Sequence, residues 1–137
     1  MWSGHQDQNW RNDFQYGWDY GRYWDYGFIR EINLALDNID QYSTKLTDEQ
    51  RNLFRAELRF IRAFIYFELV KRMGGVPLVT EQLIYDFSGD PSYLQIPRSK
   101  EHEVYDYIYS ELEERKYDLE PNNASKTSAT TFAALAL

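Results

Sequence analysis

Trp10, Tyr16, Trp18, Tyr20 and Trp24 stand close together in the chain, with Asn9, Asp19 and Arg22 interleaved among them. A flat aromatic ring offers a broad apolar face, while carboxylate, amide and guanidinium groups at its edge hold hydroxyls in place. That combination suits a polyhydroxylated ring whose faces carry C–H groups and whose rim carries O–H groups. The same rings would serve equally as a cap on a helical core, since buried aromatics dominate core energetics. For Trp24, Tyr26 and Phe28, which lead into an amphipathic stretch, the core reading is favoured. Trp18 and Tyr20 lie between glycines that bring the backbone close to whatever they face, and for them both readings stay open. Trp10, Tyr16, Trp18, Asp19, Tyr20 and Trp24 are therefore the candidate ligand-binding residues.

Other chemistry is less well supplied. Arg55, Arg59 and Arg62 could meet an acidic ligand, but with Glu57 and Glu68 nearby they read as a solvated helix face. Glu111, Glu113 and Glu114 read as solvated too. A glycosidase would need two carboxylates held at fixed separation, one with a raised pKa. His5 and His102 fit no metal-ligand spacing, and no nucleophile elbow, phosphate-binding glycine loop or zinc-protease motif is present. Neither a catalytic residue nor a cofactor or metal is expected.

Composition narrows the class further. A net charge of −7 on 137 residues argues against a nucleic-acid partner, which requires clustered cations to neutralise phosphates. Every apolar run is broken well before the ~20 residues needed to cross a bilayer. With no Cys there is neither a disulfide framework nor a thiol for lipid attachment within these residues.

The elements that must carry these groups follow from periodicity. Residues 1–23 read as a structured aromatic loop, in which Trp18-Asp19-Tyr20-Gly21 is echoed by Trp24-Asp25-Tyr26-Gly27. A first helix is expected over 24–42, with Phe28, Ile32, Ala35 and Ile39 inward. A second spans 48–73, opened by a Thr47/Gln50 capping box and closed at Gly74-Gly75 with a left-handed glycine. Its apolar arc is so wide, with only Arg55, Arg59 and Arg62 outside it, that it must lie between neighbours; Ala56 and Ala63 would admit another backbone closely. Pro77, Gly89, Pro91 and Pro97 forbid a long helix over 76–98 and point to an extended crossing segment, with short strand-like pieces at 76–79 and 93–96. A third helix is expected over 100–119 with Ser99 as N-cap, stopped by Pro121-Asn122-Asn123, and a fourth over 128–137. Phe132, Leu135 and Leu137 are still apolar where the chain stops, so the natural protein is expected to continue, and this piece alone to be marginal and self-associating.

Several of these segments occur together in a known order. Tyr26-x-x-Ile29-x-x-x-Asn33 is followed by Arg59-Phe60-Ile61-Arg62-Ala63-Phe64-Ile65-Tyr66-Phe67, Gly74-Gly75-Val76-Pro77-Leu78, Ile96-Pro97-Arg98-Ser99 and Glu103-Val104-Tyr105-Asp106-Tyr107-Ile108. From about Trp24 onward the chain resembles the SusD/RagB family of outer-membrane nutrient-binding proteins. The resemblance implies a single, incomplete all-α SusD-like domain of tetratricopeptide-like helix pairs with a long Pro-containing crossing loop. It also implies non-catalytic capture of oligosaccharides at the cell surface and delivery to a SusC-like TonB-dependent transporter. Attachment to the outer membrane would be through an N-terminal lipid anchor outside this chain. The alternative within the same resemblance is a helical protein-interaction scaffold or a RagB-like peptide-capture module.

Overall fold

The computed structural model describes residues 26–87, 89–119 and 129–137. The candidate residues Trp10, Tyr16, Trp18, Asp19, Tyr20 and Trp24, and the Pro121-Asn122-Asn123 stop, lie outside the described residues. The described part is helical: α1 Gly27–Tyr42, α2 Asp48–Met73, α3 Glu101–Arg115 and α4 Thr131–Ala136, with single 3-10 turns at Ser92–Leu94 and Lys116–Asp118.

Helix α1 buries Ile29, Ile32 and Asn33. Phe28, placed inward by the periodicity of Phe28, Ile32, Ala35 and Ile39, is instead 71% exposed. One residue of error turns a helix by about 100°, enough to move a ring from core to surface.

Helix α2 starts as the capping box requires. The Thr47 hydroxyl accepts from the Gln50 amide at 3.3 Å, and the Gln50 side chain accepts from the Thr47 amide at 3.0 Å. Asp48 and Glu49 at its start and Lys71 and Arg72 at its end match the helix dipole. Gly74 closes it with φ 70° and ψ −142°. That is a glycine conformation, but an extended mirror-image one rather than the left-handed helical one.

The inner face of α2 is Ala56, Arg62, Ala63, Tyr66, Leu69 and Val70. It packs chiefly on α3, through Val104, Ile108 and Leu112, and on α1 through Ile29. The two alanines give the close approach that their spacing suggests, both being fully buried. The arginine strip is a correction: Arg62 is 4% exposed and points inward, whereas Phe54, Ile61 and Phe64 of the expected apolar arc are exposed. Glu111 on α3, also read as solvated, is 5% exposed.

Beyond Gly74 the chain leaves α2 and returns to it. Pro77 and Arg98 form an antiparallel bridge, and the Ser99 amide donates to the Val76 carbonyl at 3.1 Å. Arg98 donates to the carbonyls of Gly75 and Met73, the latter at 2.6 Å. Ser99, expected as the N-cap, stands outside α3, with its amide used in this closure and the extended Lys100 in the cap position. The helix is capped one residue later, where Glu103 accepts from the Lys100 amide at 2.7 Å. The expected strand-like piece at 93–96 begins instead as a 3-10 turn, since Pro91 enters it with φ −85° and its carbonyl takes the Leu94 amide at 3.0 Å. Closure depends on Gly75: a Cβ there would stand 1.9 Å from the Ser99 carbonyl oxygen, a backbone atom that cannot yield. Gly75→Ala is expected to destabilise the full-length protein by about 1–3 kcal/mol, measurable as a lower denaturant midpoint; an unchanged midpoint would contradict the tight closure.

Candidate functional site

Among its described residues the returning segment has one isolated bridge and no sheet to satisfy its backbone, yet buried carbonyls must find donors. Side chains from the helices supply them. Tyr26 donates to the Pro77 carbonyl at 2.9 Å, and Asn33 donates from one amide nitrogen to the carbonyls of Val79 and Glu81, both at 3.0 Å. The Tyr66 hydroxyl accepts from the Val79 amide at 2.8 Å and lies 3.2 Å from the Val79 carbonyl. Arg62 donates to the Thr80 carbonyl at 3.1 Å and to the Asn33 side-chain oxygen at 2.6 Å.

Behind Arg62 stands its counter-charge. Its guanidinium makes two bonds to one Glu111 oxygen, at 2.6 and 3.2 Å. Arg59 approaches the other Glu111 oxygen at 3.4 Å and Glu114 at 2.8 Å. Burying two ions costs several kcal/mol apiece, which only good geometry and further hydrogen bonds offset. Arg62 meets both conditions, bonding Glu111, Asn33 and Thr80, although the Tyr107 hydroxyl beside the pair is buried without a hydrogen-bond partner among the described residues. The Tyr66 ring packs edge-on to Tyr26 and Tyr107, with centroids 6.5 and 5.4 Å away, and Arg62 lies over the Tyr107 ring. The outcome is a rigid polar and aromatic mount that fixes residues 77–81 against α1, α2 and α3.

Burial pushes the Tyr66 phenol up to about 12, and raises those of Tyr26 and Tyr107 for the same reason. A phenol whose folded pKa lies above its unfolded value near 10 stays protonated in the native state after the unfolded chain has lost that proton. Stability from these groups is therefore intact below pH about 10 and falls as pH rises toward about 12. A tyrosinate absorbance titration of the native full-length protein should show phenols titrating only with alkaline unfolding, a fraction reduced in Tyr66→Phe; complete titration before unfolding would contradict the burial.

Held in this way, the segment forms one wall of a cleft of about 790 Å³ whose other wall is the start of α1. Pro77, Val79, Leu83, Leu94 and Ile96 give it an apolar floor, and Phe28 presents an exposed ring from α1. Arg30, Glu31 and Glu81 supply charged groups at its sides. Arg30 and Glu31 pair at 2.8 Å on the surface, an interaction weak enough to be exchanged for a ligand's hydroxyls. Size, apolar floor and few polar groups are those of a small-molecule site. The cleft adjoins Tyr26 and Gly27 at the start of α1. Periodicity hid Phe28 as a cleft residue because it turned that ring inward; the Tyr26, Ile29, Asn33 pattern is the signal that could have found the true inner face.

The whole chain, residues 1–137, matches the sequence model of a family described as starch-binding and associating with the outer membrane. This chain belongs to the SusD-like family. That description is one of carbohydrate binding. A SusD-like protein of Formosa agariphila, P38, is 34% identical over 119 residues, covering 83% of this chain and 20% of its own length. A SusD-like protein of Bacteroides fragilis has a crystal structure that superposes with a TM-score of 0.67 at 33% identity, over 79% of this chain and 20% of that one. A laminarin-binding SusD-like protein superposes with a TM-score of 0.65 at 27% identity, over 77% of this chain and 22% of that one. This SusD-like chain thus spans about a fifth of the length of these relatives. Among the described residues no helix is long and apolar enough to cross a membrane.

Proposed function

We propose that the protein to which this chain belongs captures neutral oligosaccharides at the bacterial surface, with the cleft between α1 and the returning segment forming part of the site. The observation that carries this reading is the exposed Phe28 ring over an apolar floor flanked by Arg30, Glu31 and Glu81. A sugar ring would place its C–H face on the phenyl ring and its hydroxyls on the charged groups. The laminarin-binding relative supports a glucan as cargo. Trp10, Tyr16, Trp18, Asp19, Tyr20 and Trp24, which enter α1 from upstream, are proposed to extend the same surface. Delivery to a SusC-like TonB-dependent transporter, with the protein held at the outer membrane by an N-terminal lipid, completes the proposal. A glycan array on the full-length protein should give signals for neutral glycans, and Trp18→Ala should weaken them without lowering the melting temperature. An array without glycan signals, together with capture of peptides, would replace this reading by a peptide-capture module.

A further inference from the structure

Residues 84–87 and 89–93 form the outward tip of the returning segment, and their side chains are not used by the mount or the cleft. Tyr85 and Phe87 stand on this tip with ring centroids 5.0 Å apart and planes at 62°. Phe87 is 87% exposed and has φ 59°, a left-handed backbone that a bulky residue adopts only when its surroundings impose it. The tip is braced from below. The Tyr93 hydroxyl accepts from the Asp86 amide at 2.6 Å, and its one proton is shared between the Ile84 carbonyl at 3.2 Å and the Asp86 carboxylate at 2.9 Å. Asp90 accepts from both the amide and the hydroxyl of Ser92, each at 2.9 Å. The Phe87 ring is therefore held out into solvent, with the 39% exposed Tyr85 ring packed beside it, on a hydrogen-bonded brace, so little ordering is left to be done when something stacks there.

We propose that this tip is a second carbohydrate-contact site, at which Tyr85 and Phe87 hold a neutral glycan chain that extends beyond the cleft. The inference rests on the proposed function. Continuity supports it, because Leu83 and Leu94 at the base of the tip line the cleft. The surroundings define the ligand. Carboxylates at Asp86 and Asp90 accept hydroxyl protons, and no Lys or Arg occurs between Thr80 and Pro97, so the charged groups of the tip itself would repel an acidic glycan.

Native affinity electrophoresis of the full-length protein in gels containing laminarin, starch or alginate tests this. Phe87→Gly removes the ring and relieves the left-handed backbone, so it should melt no lower than the wild type. It is expected to weaken binding in a neutral gel about three- to tenfold, and Tyr85→Ala with Phe87→Gly more. Wild-type retardation that both variants share would overturn the tip site and leave the proposed function standing. Retardation by alginate equal to that by the neutral polymers would overturn the assignment to neutral glycans. Wild-type protein running freely in every neutral gel would overturn the proposed function and this inference with it. Unchanged retardation with loss of a co-purifying transporter would give the tip to protein docking instead.

Discussion

Glu111→Ala is expected to cost the full-length protein about 3–5 kcal/mol, because it leaves the Arg62 guanidinium buried without a counter-ion. Arg59 also loses one of its two partners. The damage should not stop at α3. Arg62 holds Thr80 and Asn33, and Asn33 holds Val79 and Glu81, so one vacancy loosens the wall of the cleft. Replacing both members of the pair, Arg62→Met with Glu111→Leu, should recover only part of the loss, since apolar groups can replace a buried ion pair but leave the Thr80 carbonyl and the Asn33 side-chain oxygen without their donor. Denaturant unfolding of the single and double variants measures both. A single-variant loss under about 1 kcal/mol would mean that the pair is hydrated and that the mount is not as tight as its distances imply.

Tyr66→Ala is expected to cost about 3–5 kcal/mol as well, through removal of a fully buried ring from the centre of the core. Its ring joins Tyr26 to Tyr107, and its hydroxyl satisfies the Val79 backbone. Tyr66→Phe separates the two contributions. It keeps the packing and loses only the hydroxyl, with an expected cost of about 1–3 kcal/mol for unsatisfied backbone groups. Equal effects of the two substitutions would mean that the hydrogen bonds, not the ring, hold the segment. Both variants are read by the shift in denaturant midpoint, with the slope checked to be unchanged.

The helices were legible in the sequence because their ends carry local signals. The Thr47 and Gln50 box, the dipole-matching charges of α2 and the two glycines act over a few residues, and periodicity supplies the rest. Which face turns inward was less legible. In α2 apolar residues run nearly all the way round, so hydrophobicity alone made Arg62 the outer residue. Its true direction depends on Glu111, 49 positions away, and on Asn33, 29 away. Pairing at that separation leaves no periodic trace. The same holds for the returning segment: prolines announce that it is not helical, but its closure at Pro77 and Arg98 and the capture of its carbonyls by Tyr26, Asn33, Arg62 and Tyr66 are tertiary events. The ordered family motifs include Tyr26, Asn33, Arg62, Tyr66, Pro77 and Arg98, though not Glu111. They therefore carried the structural information that composition and periodicity lacked. Of the proposed binding surface, the aromatic vocabulary was visible upstream of α1, whereas Phe28 became visible only once α1 was turned to its true face.

The proposed glycan site stands on the wall of the returning segment and Phe28 acting together. Calorimetric titration of the full-length protein and its Phe28→Ala variant with the glycan giving the strongest array signal tests it directly. Because Phe28 is 71% exposed, its truncation should leave the melting temperature within a few degrees. Affinity should fall about tenfold, the share of binding energy expected of one aromatic contact. Unchanged affinity in a stably folded variant would contradict the claim and remove the cleft from the binding site.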